Sequence, residues 1–162
     1  MGDIDRVGQG WDVHRLAAGR PLVLCGVKVA GEVGLAGHSD ADVALHAVID
    51  AMLGAAGLAD IGEQFPDTAA AWAGADSGGL LDRVVGLVAE AGYAVVNADV
   101  TMIAERPKLS PYKEAMRERL AGLLGVEASA VGVKAKTAEG LGSLGAGEGI
   151  ACLAVVGLRR TK

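Results

Sequence analysis

The end of the chain, Gly149 to Leu158, limits the possible folds more than any other stretch. From Ile150 to Leu158 it is apolar at nearly every position. A strand with one wet face alternates apolar and polar side chains. This one offers apolar groups to both faces, so something has to cover both sides of it. The same run is far too short to cross a bilayer as a helix.

Ahead of it the chain alternates between strand and helix patterns. Residues 5–13 and 93–104 read as strands, 21–30 as two short strands about Cys25-Gly26, and 130–137 and 149–159 as two more. The first helix is predicted with Ser39 as its cap and Asp42 three residues on, a capping-box spacing. Leu45, Val48, Ile49, Met52, Leu53 and Ala56 follow as an apolar stripe at helical spacing, and Gly57 stops it. A second helix spans about Asp76 to Glu90, with Leu80, Leu81, Val84, Val85 and Val88 inward and Gly92 after it. A third starts with Ser110 as cap and Pro111 in the first turn, carries Met116, Leu120, Leu123 and Leu124, and ends at Gly125. This order predicts one α+β domain over residues 1–162, a sandwich of a mixed or antiparallel sheet with helices on one face.

The chain has 162 residues, 51% of them hydrophobic but only 3% aromatic, with 25 glycines. Small apolar side chains pack closely and bury little area each. Mean hydropathy is positive without a membrane segment, which points to apolar surface covered between subunits; a Gly/Ala-rich core in a monomer is the other way to satisfy it. The net charge of −5 argues against a nucleic-acid surface, which needs a basic face. Cys25 and Cys152 lie far apart in apolar surroundings and form no C-x-x-C pair, so buried free thiols in a reducing compartment are expected. Residues 1–10 hold no apolar signal core, and the expected location is the cytoplasm, with no membrane and no nucleic-acid partner.

All three histidines, His14, His38 and His46, fall in the first third of the chain. Asp12 and His14 form a D-x-H on a predicted strand, which sets both side chains on one face. His46, on the first helix, can close a set of two imidazoles and a carboxylate. That set suits zinc, and three protein ligands leave the fourth position open. Spacing alone leaves this reading level with three polar residues placed independently. Asp42 and Asp50 sit one turn either side of His46, where a carboxylate can take the second N–H of a ligating imidazole; for Asp50 an exposed helix face with scattered charge fits the spacing equally well. His38 precedes a helix start, a place that favours anions, although spacing alone fits a surface loop residue better.

Three other segments are weaker signals. Asp60-Ile61-Gly62 and Phe65-Pro66-Asp67-Thr68 form a loop with an aromatic and carboxylates. Residues 140–145 spell G-x-G-x-x-G after a strand, but a strand rather than a helix follows, which rules out a dinucleotide fold. Beside it Thr137 can donate to a phosphate, and Glu139 can hold a hard cation through oxygen. Lys108 lies just before a helix start.

Taken together, Gly10-Trp11-Asp12-Val13-His14, the run His38 to His46, Asp60-Ile61-Gly62 with Phe65-Pro66-Asp67-Thr68, and Gly147-Glu148-Gly149-Ile150-Ala151 resemble, in collinear order over about residues 5 to 160, the 2-C-methyl-D-erythritol 2,4-cyclodiphosphate synthases of the non-mevalonate isoprenoid pathway. The resemblance implies a lyase that converts 4-diphosphocytidyl-2-C-methyl-D-erythritol 2-phosphate to the cyclic diphosphate and releases CMP. It also implies a homotrimer with active sites between neighbouring subunits. On that basis Asp12, His14 and His46 hold zinc or a similar ion, Glu139 helps hold magnesium or manganese, and His38 and Thr137 stabilise the transition state. Substrate contacts are implied for Asp12, Val13, His14, His38 and Ser39. Asp60, Ile61, Gly62, Phe65, Pro66, Asp67 and Thr68 would line the methylerythritol end. Ala104, Pro107, Lys108, Leu109 and Ser110 would line the cytidine end, and Lys136, Thr137, Ala138 and Glu139 would meet the phosphates. The chain departs from the usual family pattern at Gln9, Ala41, Lys136, Ala138, Ser143 and Ala146, none of them a metal ligand in this reading.

Two other readings share parts of this pattern. A zinc-dependent phosphoesterase on a nucleotide diphosphate needs the same triad but consumes water. A trimeric binding scaffold with structural zinc usually closes the ion with four protein ligands, and only three good ones are present.

Overall fold

A computed structural model describes residues 3–37, 39–66, 68–72 and 75–161. Its strands are β1 (Arg6–Ala18), β2 (Leu22–Leu24), β3 (Val27–Val29), β4 (Val33–Leu35), β5 (Tyr93–Ile103), β6 (Val131–Lys136) and β7 (Gly149–Arg160). Its helices are α1 (Val43–Ala56), α2 (Ile61–Gln64), α3 (Ser77–Glu90), α4 (Lys113–Leu124) and α5 (Gly142–Gly145). Five strands form one mixed sheet in the order β4-β1-β7-β5-β6, and β2-β3 is a separate hairpin. Only the β5–β6 pair is parallel. The apolar C-terminal run is thus the central strand β7, flanked by β1 and β5.

The expected sheet with helices on one face is what the chain forms. Leu158, Val156, Ala154 and Cys152 of β7 point into the core with Val100 and Met102 of β5 and the inner faces of α1, α3 and α4. The close approach of α1 explains the small-residue composition. A Cβ at Gly8 would collide with the Ala51 carbonyl oxygen, and one at Gly10 with that of Ala47. The helix backbone therefore rests almost directly on β1. Side chains alternate along β1, so Gly8, Gly10, Asp12 and His14 share the helix side. The opposite face shows Val7, Trp11 and Val13 with Val155 of β7, all exposed.

Several local expectations need correction. The cap of α1 is Asp42, not Ser39: its carboxylate accepts from Leu45 N at 3.0 Å. Ser39 and Ala41 stand at φ 59° and 53°, so the chain turns through the left-handed region twice before the helix can start. The Asp42 carboxylate also accepts from Cys25 N and Gly26 N, which fastens the β2–β3 hairpin to α1. Ser110 caps nothing; a 3₁₀ turn, Ser110–Tyr112, leads into α4 without a side-chain cap, with Pro111 in its first turn as expected. The first strand runs five residues beyond its expected end at 13, to Ala18, and β4 was not anticipated. Gly57 and Gly125 close α1 and α4 in left-handed geometry, as their positions predict. Cys25 and Cys152 are free and buried.

Candidate metal centre

The contact between Gly10 and Ala47 sets the site. One residue pair further along, Asp12 of β1 meets His46 of α1, and His14 follows two residues later on the same face. Asp12 Oδ2 lies 2.8 Å from His14 Nε2 and 3.1 Å from His46 Nδ1, and the two nitrogens are 3.3 Å apart. Side-chain exposures of 28%, 18% and 15% for Asp12, His14 and His46 leave the cluster half-buried but open on one side.

The outer atoms of each residue fix which atoms face inward. Ala36 O accepts from His14 Nδ1 at 2.9 Å, and a carbonyl can only accept, so in the neutral ring His14 Nε2 keeps its lone pair. His46 Nε2 meets Ser77 Oγ at 3.0 Å. Asp12 Oδ1 accepts from Val13 N, leaving Oδ2 for the centre. Two imidazole nitrogens and a carboxylate oxygen thus converge within reach of a single ion, three protein donors where a structural zinc site usually supplies four. Burial pushes the Asp12 carboxyl up, but hydrogen bonds and charge from His14 and His46 more than offset this and hold it well below the usual carboxylate range. The Asp12 hydrogen bond raises His14 above its ordinary value, against the opposing effect of burial.

The centre opens into a cavity of about 270 Å³ lined further by Gly37, Ser39, Asp50, Ile61, Gly62, Phe65, Trp72 and Leu80. Ser39, Ile61, Gly62 and Phe65 were expected there from the sequence. Trp72 and Leu80 were not; Trp72 stands edge-on to Phe65 with ring centroids 4.9 Å apart. Asp60 caps α2 by accepting from Glu63 N. Pro66 and Thr68 are exposed next to it. The bond from His46 to Asp50 that the spacing allows is not made: Asp50 Oδ1 accepts from Ile61 N at 2.8 Å and pins the start of α2, and burial raises its carboxyl pKa. Asp42 likewise serves the helix start and the hairpin rather than His46, and burial pushes it up to about 6 against its three N–H donors. His38 and Asp67 lie outside the described residues. Arg20, not singled out in the sequence, donates to Gly37 O and Ser39 O and so holds the chain on either side of position 38. Val13 turns its side chain to the opposite sheet face.

A second group of expected residues gathers elsewhere. Ala104 N donates to Lys136 O, joining the segment after β5 to the end of β6. Glu105 Oε1 accepts from Ala138 N at 2.8 Å and from Gly140 N, bracing the turn that presents Thr137 and Glu139. Thr137 Oγ1 bonds both the backbone N–H and the carboxylate of Glu139, which is exposed at φ 53°. Ala104 and Leu109 are buried, Pro107 and Ala138 partly so, and Lys108, Ser110 and Lys136 are exposed. Asp12 pairs with Cys152, Cys152 with Met102 and Met102 with Ala135, so three strand spacings, about 14 Å, separate the Asp12 row from β6. Within one chain, Thr137 and Glu139 do not reach the Asp12–His14–His46 triad.

Fold and site together define an α+β protein with three donors grouped so that they could hold a metal ion, facing a half-open pocket. The description "YgbB family" matches residues 5–159. The 2-C-methyl-D-erythritol 2,4-cyclodiphosphate synthase of Symbiobacterium thermophilum is 62% identical over 149 residues, covering 92% of this chain and 95% of that protein. A solved 2C-methyl-D-erythritol-2,4-cyclodiphosphate synthase in a CDP-bound form superposes with a TM-score of 0.89 at 41% identity, covering 95% of this chain and all of that one. The bifunctional IspDF of Campylobacter jejuni superposes at 0.92 with 42% identity, over 96% of this chain and 42% of its own length. The chain belongs to the YgbB family, that of the 2-C-methyl-D-erythritol 2,4-cyclodiphosphate synthases.

Proposed function

We propose that this chain catalyses the reaction its relatives are named for: closure of 4-diphosphocytidyl-2-C-methyl-D-erythritol 2-phosphate to the 2,4-cyclodiphosphate with loss of CMP, a phosphorus–oxygen lyase step. The observation that carries the proposal is the convergence of Asp12 Oδ2, His14 Nε2 and His46 Nδ1 beside a pocket, in a chain this similar to those synthases. The nucleophile is the substrate's own 2-phosphate, which attacks the β-phosphorus as CMP departs, so no protein nucleophile is needed. Cys25 and Cys152 agree with this: burial raises both thiols, Cys152 to about 12, which keeps them protonated and inert.

What remains for the protein is positioning and charge neutralisation. Asp12, His14 and His46 would hold zinc or a similar ion, and Glu139 a magnesium or manganese ion. Bound ions supply Lewis-acid neutralisation of the phosphoryl oxygens. His38 and Thr137 donate to the oxygens that gain charge in the transition state. Ile61, Gly62, Phe65 and the rest of the segment to Thr68 enclose the methylerythritol end. Ala104, Pro107, Lys108, Leu109 and Ser110 receive the cytidine.

The separation of Thr137 and Glu139 from the triad supports a site completed by a neighbouring chain. The exposed apolar face of Val7, Trp11, Val13 and Val155 supports a homotrimer that covers it. Among the described residues no helix is long and apolar enough to cross a membrane, and the free thiols suit a cytoplasmic enzyme. Phosphorus NMR of the product from the cytidyl substrate tests the reaction. Paired diphosphate signals of a ring together with CMP are expected; a product with an open-chain diphosphate or free phosphate monoester would contradict it.

A further inference from the structure

We propose that Asp40 and Ser77 are positioning residues for His46, acting as a one-way relay that fixes which imidazole nitrogen is offered to the metal. The inference rests on the metal-dependent reading above. Ser77 is the first residue of α3 and is fully buried. Its backbone N–H donates to Asp40 Oδ2 at 3.1 Å, and its hydroxyl donates to Asp40 Oδ1. The carboxylate is itself held at the entry to α1, where Oδ1 also accepts from Asp42 N and from the Ser39 hydroxyl.

A serine hydroxyl alone cannot choose a histidine tautomer, because it can give or take a proton. Asp40 removes that freedom. With the Ser77 proton committed to the carboxylate, only a lone pair of Oγ is left for His46 Nε2, 3.0 Å away. The neutral His46 ring must then carry its proton on Nε2, and Nδ1 faces Asp12 and His14 as a base. His14 is fixed in the complementary sense, its Nδ1 donating to Ala36 O. The two ligand histidines thus use opposite nitrogens, each set by an acceptor outside the site. Ser77 lies 31 residues from His46 in sequence, on another helix, so α3 as well as α1 takes part in shaping the centre.

Zinc affinity, read by competition with a chromophoric chelator on the purified chain, tests the relay. Ser77→Ala and Asp40→Asn are each expected to weaken binding about 10- to 100-fold, the size typical for partners of ligand histidines. Asp40→Asn carries particular weight, because it leaves Ser77 in place and frees its proton to turn toward His46. Ser77→Thr, which keeps the hydroxyl, should bind within about threefold of the parent. Nitrogen-15 NMR of the zinc-loaded parent should show His46 protonated at Nε2. Parent-like affinity in both Ser77→Ala and Asp40→Asn, alongside lost binding in His46→Ala, would overturn the relay alone. Equal zinc content in the parent, Ser77→Ala and His46→Ala would overturn the metal-centre reading and the relay with it.

Discussion

At the scale of single residues the centre is a balance of protons. In the metal-free protein Asp12 is held below, and His14 above, its ordinary value. The depressed Asp12 contributes stability that is present above its unfolded value of 3.8 and lost as pH falls through its folded value; the raised His14 contributes stability present below 6.5 and lost as pH rises through its folded value. The joint contribution of Asp12 and His14 is therefore complete between those two unfolded values. A metal needs His14 neutral, so its stabilising effect runs the other way and grows as pH rises through the raised His14 value. Thermal melts with chelator and with added zinc should diverge as pH increases above 6.5. Parallel curves would contradict a metal site built on His14. His46→Ala should lose the metal and the activity while keeping the far-UV spectrum of the parent. If Thr137 donates to phosphate as proposed, Thr137→Val should slow turnover by about 10²- to 10³-fold without changing zinc content.

At the scale of elements the decisive contact is α1 on β1. Gly10→Ala puts a methyl group into the Ala47 carbonyl, forcing the helix away from the strand that carries Asp12 and His14. The expected cost is about 1–3 kcal/mol of stability, with weakened zinc binding as well; denaturant midpoints and chelator competition measure the two. Much of this element was legible beforehand. The stripe from Leu45 to Ala56, the stop at Gly57 and the D-x-H on one strand face all follow from local periodicity. What was not legible depends on the backbone path or on distant partners. Ser39 is a good cap by type, but left-handed turns at Ser39 and Ala41 pass the role to Asp42. Asp50 has the right spacing to receive His46, yet Ile61 takes its carboxylate and Ser77 takes the imidazole. The residues at Asp76-Ser77 read only as a helix start, because nothing local shows that this start abuts a histidine on another helix. β4 has three residues, one of them Gly34, and is held by pairing with β1 rather than by its own pattern.

At the scale of the whole molecule, the triad and the Thr137–Glu139 turn stand three strands apart in the sheet. The triad and its pocket belong to β1 and α1, whereas Thr137 and Glu139 stand at the end of β6, about 14 Å across. A shared site makes a specific demand on mixtures. His46→Ala and Glu139→Ala chains, each inactive alone, should recover activity when unfolded and refolded together, because an intact triad can then meet an intact Glu139 from a neighbour. Light scattering should give three times the chain mass, and Trp11→Glu on the exposed face should lower it. No recovery on mixing would place the whole reaction within one chain. The central claim, that the substrate's own phosphate closes the ring, is tested most directly by running the reaction in ¹⁸O-labelled water and weighing the products. Cyclisation predicts no solvent oxygen in the cyclic diphosphate or in CMP; one ¹⁸O in either primary product would show that water was the nucleophile.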